Sequence, residues 1–215
     1  MIAILICTRG LIHSRVIEAV ERERAGFNSK LYITHDLPIP EAQNSLVRRA
    51  MADNPTHFLF IEEDTIIPEG MLKKMVLADE DIVFVDYGVN GWSCSAKDEK
   101  GRILWAGLGC TLIKKNVFEN LKSPWFRTDK QLRLNDMKWI NIPKERVYGG
   151  HDIWFYCQAK AGGFKIKQIE GECIHLKIDA LGRSEINNGL HKISEKNKIT
   201  NYQLINTKGV EYCGE

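Results

Sequence analysis

Three short and almost entirely apolar runs constrain the fold more than any other feature of this sequence. Ile2–Cys7, His57–Ile61 and Asp81–Val85 are rich in β-branched and aromatic residues and lack the polar alternation of a half-exposed strand. Continuous apolar runs of this length are typical of strands that are buried on both faces. They predict a central sheet with helices on both of its faces.

The segments between these runs have the pattern of helices. Val16–Ala25 carries an apolar stripe and a charged face, and Pro40 is well placed to start a helix over Glu41–Ala52. Pro68 opens a further helix that extends through Leu77, and Lys30–Thr34 has the composition of a short strand. The alternation of strands and helices predicts an α/β fold with a mainly parallel central sheet.

The pattern changes after Tyr87. A small antiparallel hairpin is predicted there, with Ser93–Ala96 and Arg102–Trp105 on either side of a polar turn. The other predicted elements are strands at Cys110–Ile113, Lys165–Ile169 and Cys173–Leu176, helices at Lys115–Leu121, Asp152–Ala161 and Ser184–Lys196, and an irregular segment at Ser123–Arg146. We expect one domain over residues 1–176 and a polar C-terminal extension over residues 177–215.

Composition excludes several classes of protein. The 215 residues carry a net charge of +2, so the overall charge gives no indication of a polyanionic partner. The six cysteines include no C-x-x-C pair, which disfavours a zinc ribbon or a thioredoxin-type site. The apolar N-terminal run has no preceding positive region and is too short to span a bilayer. We therefore expect a soluble, cytoplasmic protein with no membrane span.

Three acidic residues follow one of the buried strands directly. Glu62, Glu63 and Asp64 stand where that strand ends, and in open α/β sheets ligands bind at the carboxyl ends of the strands. Clustered carboxylates repel one another unless a cation compensates, and Mg²⁺ and Mn²⁺ select oxygen ligands. The triplet indicates either a metal site or an ordinary solvated loop whose Asp64 caps the next helix.

Two further segments, one before a helix and one at the end of a strand, can each be interpreted as structural or as functional. Gly149-Gly150-His151-Asp152 places a tight turn before a helix, where the acid is either a helix cap or a functional group. His175 ends an apolar stretch and is either a hydrogen-bonded core residue or a metal ligand.

Together, and in this order, these segments resemble glycosyltransferases of the GT-A fold, most closely the small family 2-like enzymes of bacteria and phages. The stretches that carry the resemblance are Ile2–Arg9, Glu41–Ala50, Phe58–Pro68, Ala106–Ile113, Gly149–Phe155 and His175. The resemblance implies a GT-A (nucleotide-diphospho-sugar transferase) fold and an enzyme that transfers a sugar to an acceptor hydroxyl.

The resemblance also implies a donor site. A nucleoside-diphosphate sugar, with uridine as the favoured base, would be held through Mn²⁺ or Mg²⁺ at its diphosphate. Asp64 falls on the position of the direct metal ligand, His175 matches an additional histidine ligand, and Glu62 replaces an Asp that contacts the ribose or the metal-bound water. The other positions that match nucleotide-sugar-binding residues are Thr8, Arg9, Asn44, Glu63, Gly109, Gly150 and His151.

The acceptor side follows from the same resemblance. Asp152 matches the acid that commonly serves as general base, with His151 in place of its usual Glu partner. Trp105 is the tryptophan that we expect to stack on an acceptor sugar, and the C-terminal extension is expected to pack on or cap this side. A glycan, a protein or a modified nucleic-acid base would all fit as acceptors.

Two alternatives stay open on the sequence alone. A sugar nucleotidyltransferase shares the strand–helix layout and the use of metal, although Cys7-Thr8-Arg9-Gly10 is a poor version of its usual Gly-rich loop. A non-catalytic nucleotide-sugar binding module is the other alternative, because Glu62 and His151 depart from the family pattern.

Overall fold

The computed structural model describes residues 1–35, 37–89, 92–133, 138–141, 150–178 and 184–186. Within these ranges the helices are α1 (Ser14–Arg24), α2 (Ile39–Met51), α3 (Met71–Leu77), α4 (Lys115–Asn120) and α5 (His151–Ala161). The strands are β1 (Ile2–Cys7), β2 (Ser29–Thr34), β3 (His57–Glu62), β4 (Thr65–Ile66), β5 (Ile82–Val89), β6 (Trp92–Ser93), β7 (Ala96–Lys97), β8 (Ile103–Trp105), β9 (Cys110–Lys114), β10 (Lys130–Arg133), β11 (Lys138–Asn141), β12 (Ile166–Ile178) and β13 (Ser184–Ile186).

The central sheet is mainly parallel, as the sequence predicts. Its main strand order is β13-β12-β5-β9-β3-β1-β2. β1 pairs in parallel with β2 and β3, and β12 pairs in parallel with β5. β9 lies antiparallel between β3 and β5, so β1, β3, β5 and β12 all end at one edge of the sheet.

Hydrophobic packing covers both faces of this sheet, because alternate side chains of a buried strand point to opposite faces. Ala3 and Leu5 of β1 join one core cluster with Leu46 of α2 and with residues of α4 and α5. Ile4 and Ile6 join a second cluster with residues of α1 and α3. The prediction of helices on both faces is therefore confirmed.

Some predicted elements differ from the structure. The hairpin is confirmed in part, since β7 pairs with β8 while Trp92–Ser93 pairs with β5 instead. Ser123–Arg146 is not wholly irregular, because β10 and β11 form a second hairpin within it. The two predicted strands Lys165–Ile169 and Cys173–Leu176 form one strand, β12, which begins at Ile166 and whose register shifts between Ile169 and Glu172.

The helix predicted over Ser184–Lys196 is wrong where the structure describes it. Ser184–Ile186 forms β13, which pairs antiparallel with β12, so sheet pairing overrides the local helical pattern. The rest of that prediction lies outside the described residues, as does most of the C-terminal extension. In the part of the chain that the structure describes, no helix has the length and apolar character needed to cross a membrane.

Candidate functional site

Glu62, Asp64 and His175 meet at the edge where the parallel strands end. One potential ligand atom from each lies within 4.8 Å of the others, and His175 Nε2 is 3.5 Å from Asp64 Oδ1. The backbone brings them together, because β4 pairs with β12 directly beside the site, with His175 opposite Thr65. The Leu176 N–H also donates a hydrogen bond of 2.8 Å to the Asp64 carbonyl oxygen.

The electrostatics of this cluster favour neutral side chains. Burial raises the pKa of Glu62 from 4.5 to about 8, and the negative charges of Asp64 and Asp152 add to the effect. Burial also raises the pKa of Asp64, although the positive charges of His175 and Arg9 oppose this shift. Burial lowers the pKa of His175, which favours the neutral imidazole that can bind a metal. The cluster is therefore deficient in positive charge.

This donor set fits a divalent cation. Two carboxylates and a neutral imidazole are ligands that Mn²⁺ accepts, and Mg²⁺ uses carboxylates with several waters. A cation at this position would offset both the burial and the repulsion that raise the pKa of Glu62. The residues present thus match the metal that the sequence resemblance implies.

A cavity of about 290 Å³ opens beside the cluster. Its polar rim includes Thr8, Arg9 and all three residues of the acidic triplet, and its apolar walls include Leu5, Leu37, Ile39, Phe60 and Leu108. Gln43 also lines it, and the Oε1 of this buried side chain has no hydrogen-bond partner among the described residues. Gln43 is not among the predicted site residues, because a single Gln on an amphipathic helix has no sequence pattern that marks it as a binding residue.

Arg9 and Glu63 connect the loops that follow β1 and β3. The Arg9 side chain donates from Nε to Glu63 Oε1 at 2.5 Å, and its backbone N–H donates to Glu63 Oε2 at 2.7 Å. Arg9 Nη2 is 3.9 Å from Asp64 Oδ2, while two thirds of the side chain stays exposed. The guanidinium is therefore oriented over the acidic cluster and accessible at the rim of the cavity.

The hydroxyl of Thr8 stabilises the turn that carries Arg9. It donates to the Leu11 carbonyl oxygen at 2.8 Å and accepts from the Gly10 N–H at 3.0 Å. Thr8 thus lines the cavity and fixes the local backbone at the same time.

Asp152 lies in the first turn of α5 and is not among the residues that line the cavity. Burial and the charge of Asp64 are the larger causes of the raised pKa of Glu62, and the charge of Asp152 adds to them. Gly150 precedes α5 with φ of 82°, a left-handed conformation that glycine adopts without strain. His151 is 8% exposed, and burial lowers its pKa. Gly149 lies outside the described residues.

Two predicted site residues, Asn44 and Trp105, are packed within the fold. The Asn44 amide donates to the carbonyl oxygens of Pro40 and Phe126 and accepts from the N–H groups of Trp125 and Phe126. These four bonds use its whole hydrogen-bonding capacity, and Asn44 does not line the cavity. Trp105 is 6% exposed and belongs to the hydrophobic core, which leaves little of its ring for a sugar.

Gly109 lies next to the cluster at the start of β9. Its N–H donates to the Tyr87 hydroxyl at 3.2 Å, and its carbonyl accepts from the Glu62 N–H at 3.3 Å. Gly109 therefore supports the backbone of the cluster and does not line the cavity.

Known protein families and curated proteins give no match to this sequence. Among solved structures, A197 from STIV aligns with 87% of this chain and 94% of its own, with a TM-score of 0.57 at 13% identity. A protein named as a nucleotide-diphospho-sugar transferase from Desulfovibrio desulfuricans G20 aligns with 97% of this chain and 93% of its own, with a TM-score of 0.43 at 11% identity. A glycosyltransferase involved in the glycosylation of the major capsid of PBCV-1 aligns with 58% of this chain and 68% of its own, with a TM-score of 0.37 at 14% identity. The likeness to A197 shows a shared fold and, at this identity, nothing about activity.

Proposed function

We propose that this chain is a metal-dependent glycosyltransferase of the GT-A type. It transfers a sugar from a nucleoside-diphosphate sugar, with UDP as the favoured carrier, to an acceptor hydroxyl. The observation that carries this proposal is the meeting of Glu62, Asp64 and His175, whose ligand atoms lie within 4.8 Å of one another beside a cavity. The sequence resemblance puts the metal on Asp64 and His175 and puts Glu62 at the ribose or a metal-bound water.

Asp64 and His175 would hold the cation directly, with Glu62 next to it on the side of the ribose. A bound Mn²⁺ or Mg²⁺ ion supplies Lewis-acid stabilisation of the diphosphate leaving group. Burial lowers the pKa of His175, which favours the neutral imidazole with a lone pair for this role, and Asp64, once ionised, would balance the charge of the cation.

The residues around the cavity would bind the donor. The exposed guanidinium of Arg9 stands beside Asp64, where it can pair with phosphate oxygens. Glu63 orients this guanidinium through one hydrogen bond and accepts a second from the Arg9 backbone N–H. The apolar walls offer hydrophobic contacts to a nucleobase, as is usual for ligand pockets.

Asp152 would act as the general base. An acceptor hydroxyl has a high pKa, so a carboxylate within hydrogen-bond reach takes its proton as the new bond forms. Asp152 lies in the first turn of α5, where a carboxylate is favourably placed next to the positive end of the helix dipole. The acceptor would be a glycan, a protein or a modified nucleic-acid base.

A panel of uridine and guanosine diphosphate sugars tests this proposal. Calorimetry with and without Mn²⁺ measures binding, and release of free nucleoside diphosphate measures donor hydrolysis. We expect Mn²⁺-dependent binding and hydrolysis of at least one donor. Binding without hydrolysis or transfer would identify a binding module, pyrophosphate release from a nucleoside triphosphate and a sugar phosphate would identify a nucleotidyltransferase, and no binding at all would overturn the proposal.

A further inference from the structure

The ring of Tyr87 lies between two of the three clustered residues. Its hydroxyl donates to Glu62 Oε2 at 3.2 Å. Its ring stacks on the imidazole of His175, with centroids 5.7 Å apart and planes inclined by 15°. A single buried side chain, 3% exposed, therefore contacts both a carboxylate and the imidazole of the candidate metal site.

Tyr87 is itself held in place from several directions. The Gly109 N–H donates to its hydroxyl oxygen at 3.2 Å, and Tyr87 pairs with Cys173 across β5 and β12. A Cβ atom on Gly109 would lie 2.6 Å from the Tyr87 Cζ, and one on Gly107 would lie 2.9 Å from the same atom. Gly107 and Gly109 are thus the residues that leave room for this ring.

We propose that Tyr87 is a positioning residue for the candidate metal site. It fixes the carboxylate of Glu62 by a hydrogen bond and the imidazole of His175 by stacking, so both are oriented before a cation binds. This inference rests on the proposed function, and it adds a residue that the sequence resemblance does not include. Partners that orient metal ligands in this way typically change metal affinity 10–100-fold when they are removed.

The substitution Tyr87→Phe separates the two contacts. Phenylalanine keeps the ring, its stacking on His175 and its packing against the glycines, but it cannot donate to Glu62. We expect the affinity for Mn²⁺ to fall by roughly 10-fold or more, with the melting temperature of the metal-free protein close to that of a control variant. Tyr156→Phe is the matched control, because Tyr156 is also fully buried and its hydroxyl lies 3.4 Å from Thr111 Oγ1.

A second substitution reaches the same ring from the other side. Gly109→Ala introduces a methyl group against Tyr87 and should displace it, which also weakens Mn²⁺ binding. Gly26→Ala is the control, since a Cβ there meets no atom within 4 Å. This pair keeps the inference testable if one variant fails to fold.

The measurement is a titration with MnCl₂ in which electron paramagnetic resonance reports free Mn²⁺ and the spectrum of the bound ion reports its coordination. The inference requires weaker binding and an altered bound spectrum in Tyr87→Phe, with neither change in Tyr156→Phe. Wild-type affinity in Tyr87→Phe would overturn the inference and leave the proposed function intact. Failure of the wild-type protein to bind Mn²⁺ would overturn the proposed metal site and the inference with it.

Discussion

Glu62 carries a strongly perturbed carboxyl group at the end of β3. Burial raises its pKa to about 8, and the charges of Asp64 and Asp152 add to the effect. Perturbed carboxylates of this kind concentrate at functional sites, where catalysis and binding need tuned pKa values. The charge state of Glu62 should therefore affect both the stability of the metal-free protein and its capacity to bind a cation.

The pH dependence of stability tests the state of Glu62. Its pKa is about 8 in the folded protein against 4.5 as the reference value, so the unfolded chain loses this proton first as the pH rises. Glu62 therefore makes the metal-free protein progressively less stable between pH 4.5 and about 8. Urea unfolding with a chelator present should show this loss in the wild type.

Glu62→Gln should remove most of that pH dependence, since glutamine does not titrate. Glu119→Gln is a suitable control, because Glu119 is exposed and pairs with Lys115. The stability of this control should fall with pH as steeply as that of the wild type. A Glu62→Gln slope identical to that of the wild type would contradict the raised pKa.

Asp152→Asn tests the general base. Asparagine is nearly isosteric and caps helices about as well as aspartate, but it cannot take a proton. Turnover should fall by roughly 10²–10⁴-fold while the melting temperature and the donor affinity stay close to wild type. Weaker donor binding as well would indicate that Asp152 orients the sugar, as in a retaining enzyme, and unchanged turnover would mean that Asp152 has no catalytic role.

At the scale of elements, the pairing of β4 with β12 creates the site. β4 is two residues long, and it places His175 opposite Thr65, next to Asp64. A pairing this short leaves no periodic signal in the sequence. Only the resemblance to a family linked Asp64 with His175, and local patterns could not have done so.

The buried strands were predictable because burial on both faces demands a continuous apolar run, as in β1 and β3. The second hairpin was not, because its polar strands β10 and β11 lack that composition. Tyr87 was also missed, since its role depends on a hydrogen bond to Glu62 and on the space at Gly109, which are contacts between strands distant in sequence. Side-chain contacts of this kind are visible only after the sheet is assembled.

Asn44 links α2 to the segment at Trp125 and Phe126. Asn44→Ala removes four hydrogen bonds in a buried location, so it should lower the free energy of unfolding by about 2–4 kcal/mol. Urea unfolding measures this loss of stability. Asn120→Ala is the control, because the Asn120 side-chain amide donates an exposed hydrogen bond to the Asn116 carbonyl oxygen. Weaker nucleotide binding at unchanged stability would instead support the contact with the nucleotide that the sequence resemblance implies.

At the scale of the whole molecule, the central sheet separates two hydrophobic cores and presents the candidate site at one edge. The strands below the site are buried, whereas Asp64 and Arg9 stand on the loops that follow β3 and β1. Loops on a rigid sheet tolerate substitution better than the strands that support them. Changes at Asp64 should therefore alter binding without unfolding the protein.

In the proposed function, a divalent cation at Asp64 and His175 holds a nucleoside diphosphate. Calorimetric titration of UDP into the wild-type protein and into Asp64→Ala, each with and without Mn²⁺, tests it most directly. Asp79→Ala, which removes an exposed carboxylate paired with Lys114, is the matched control. We predict Mn²⁺-dependent binding in the wild type and the control and its loss in Asp64→Ala, with the fold of all three intact. Equally tight Mn²⁺-dependent binding of UDP by Asp64→Ala and the wild type would contradict the account.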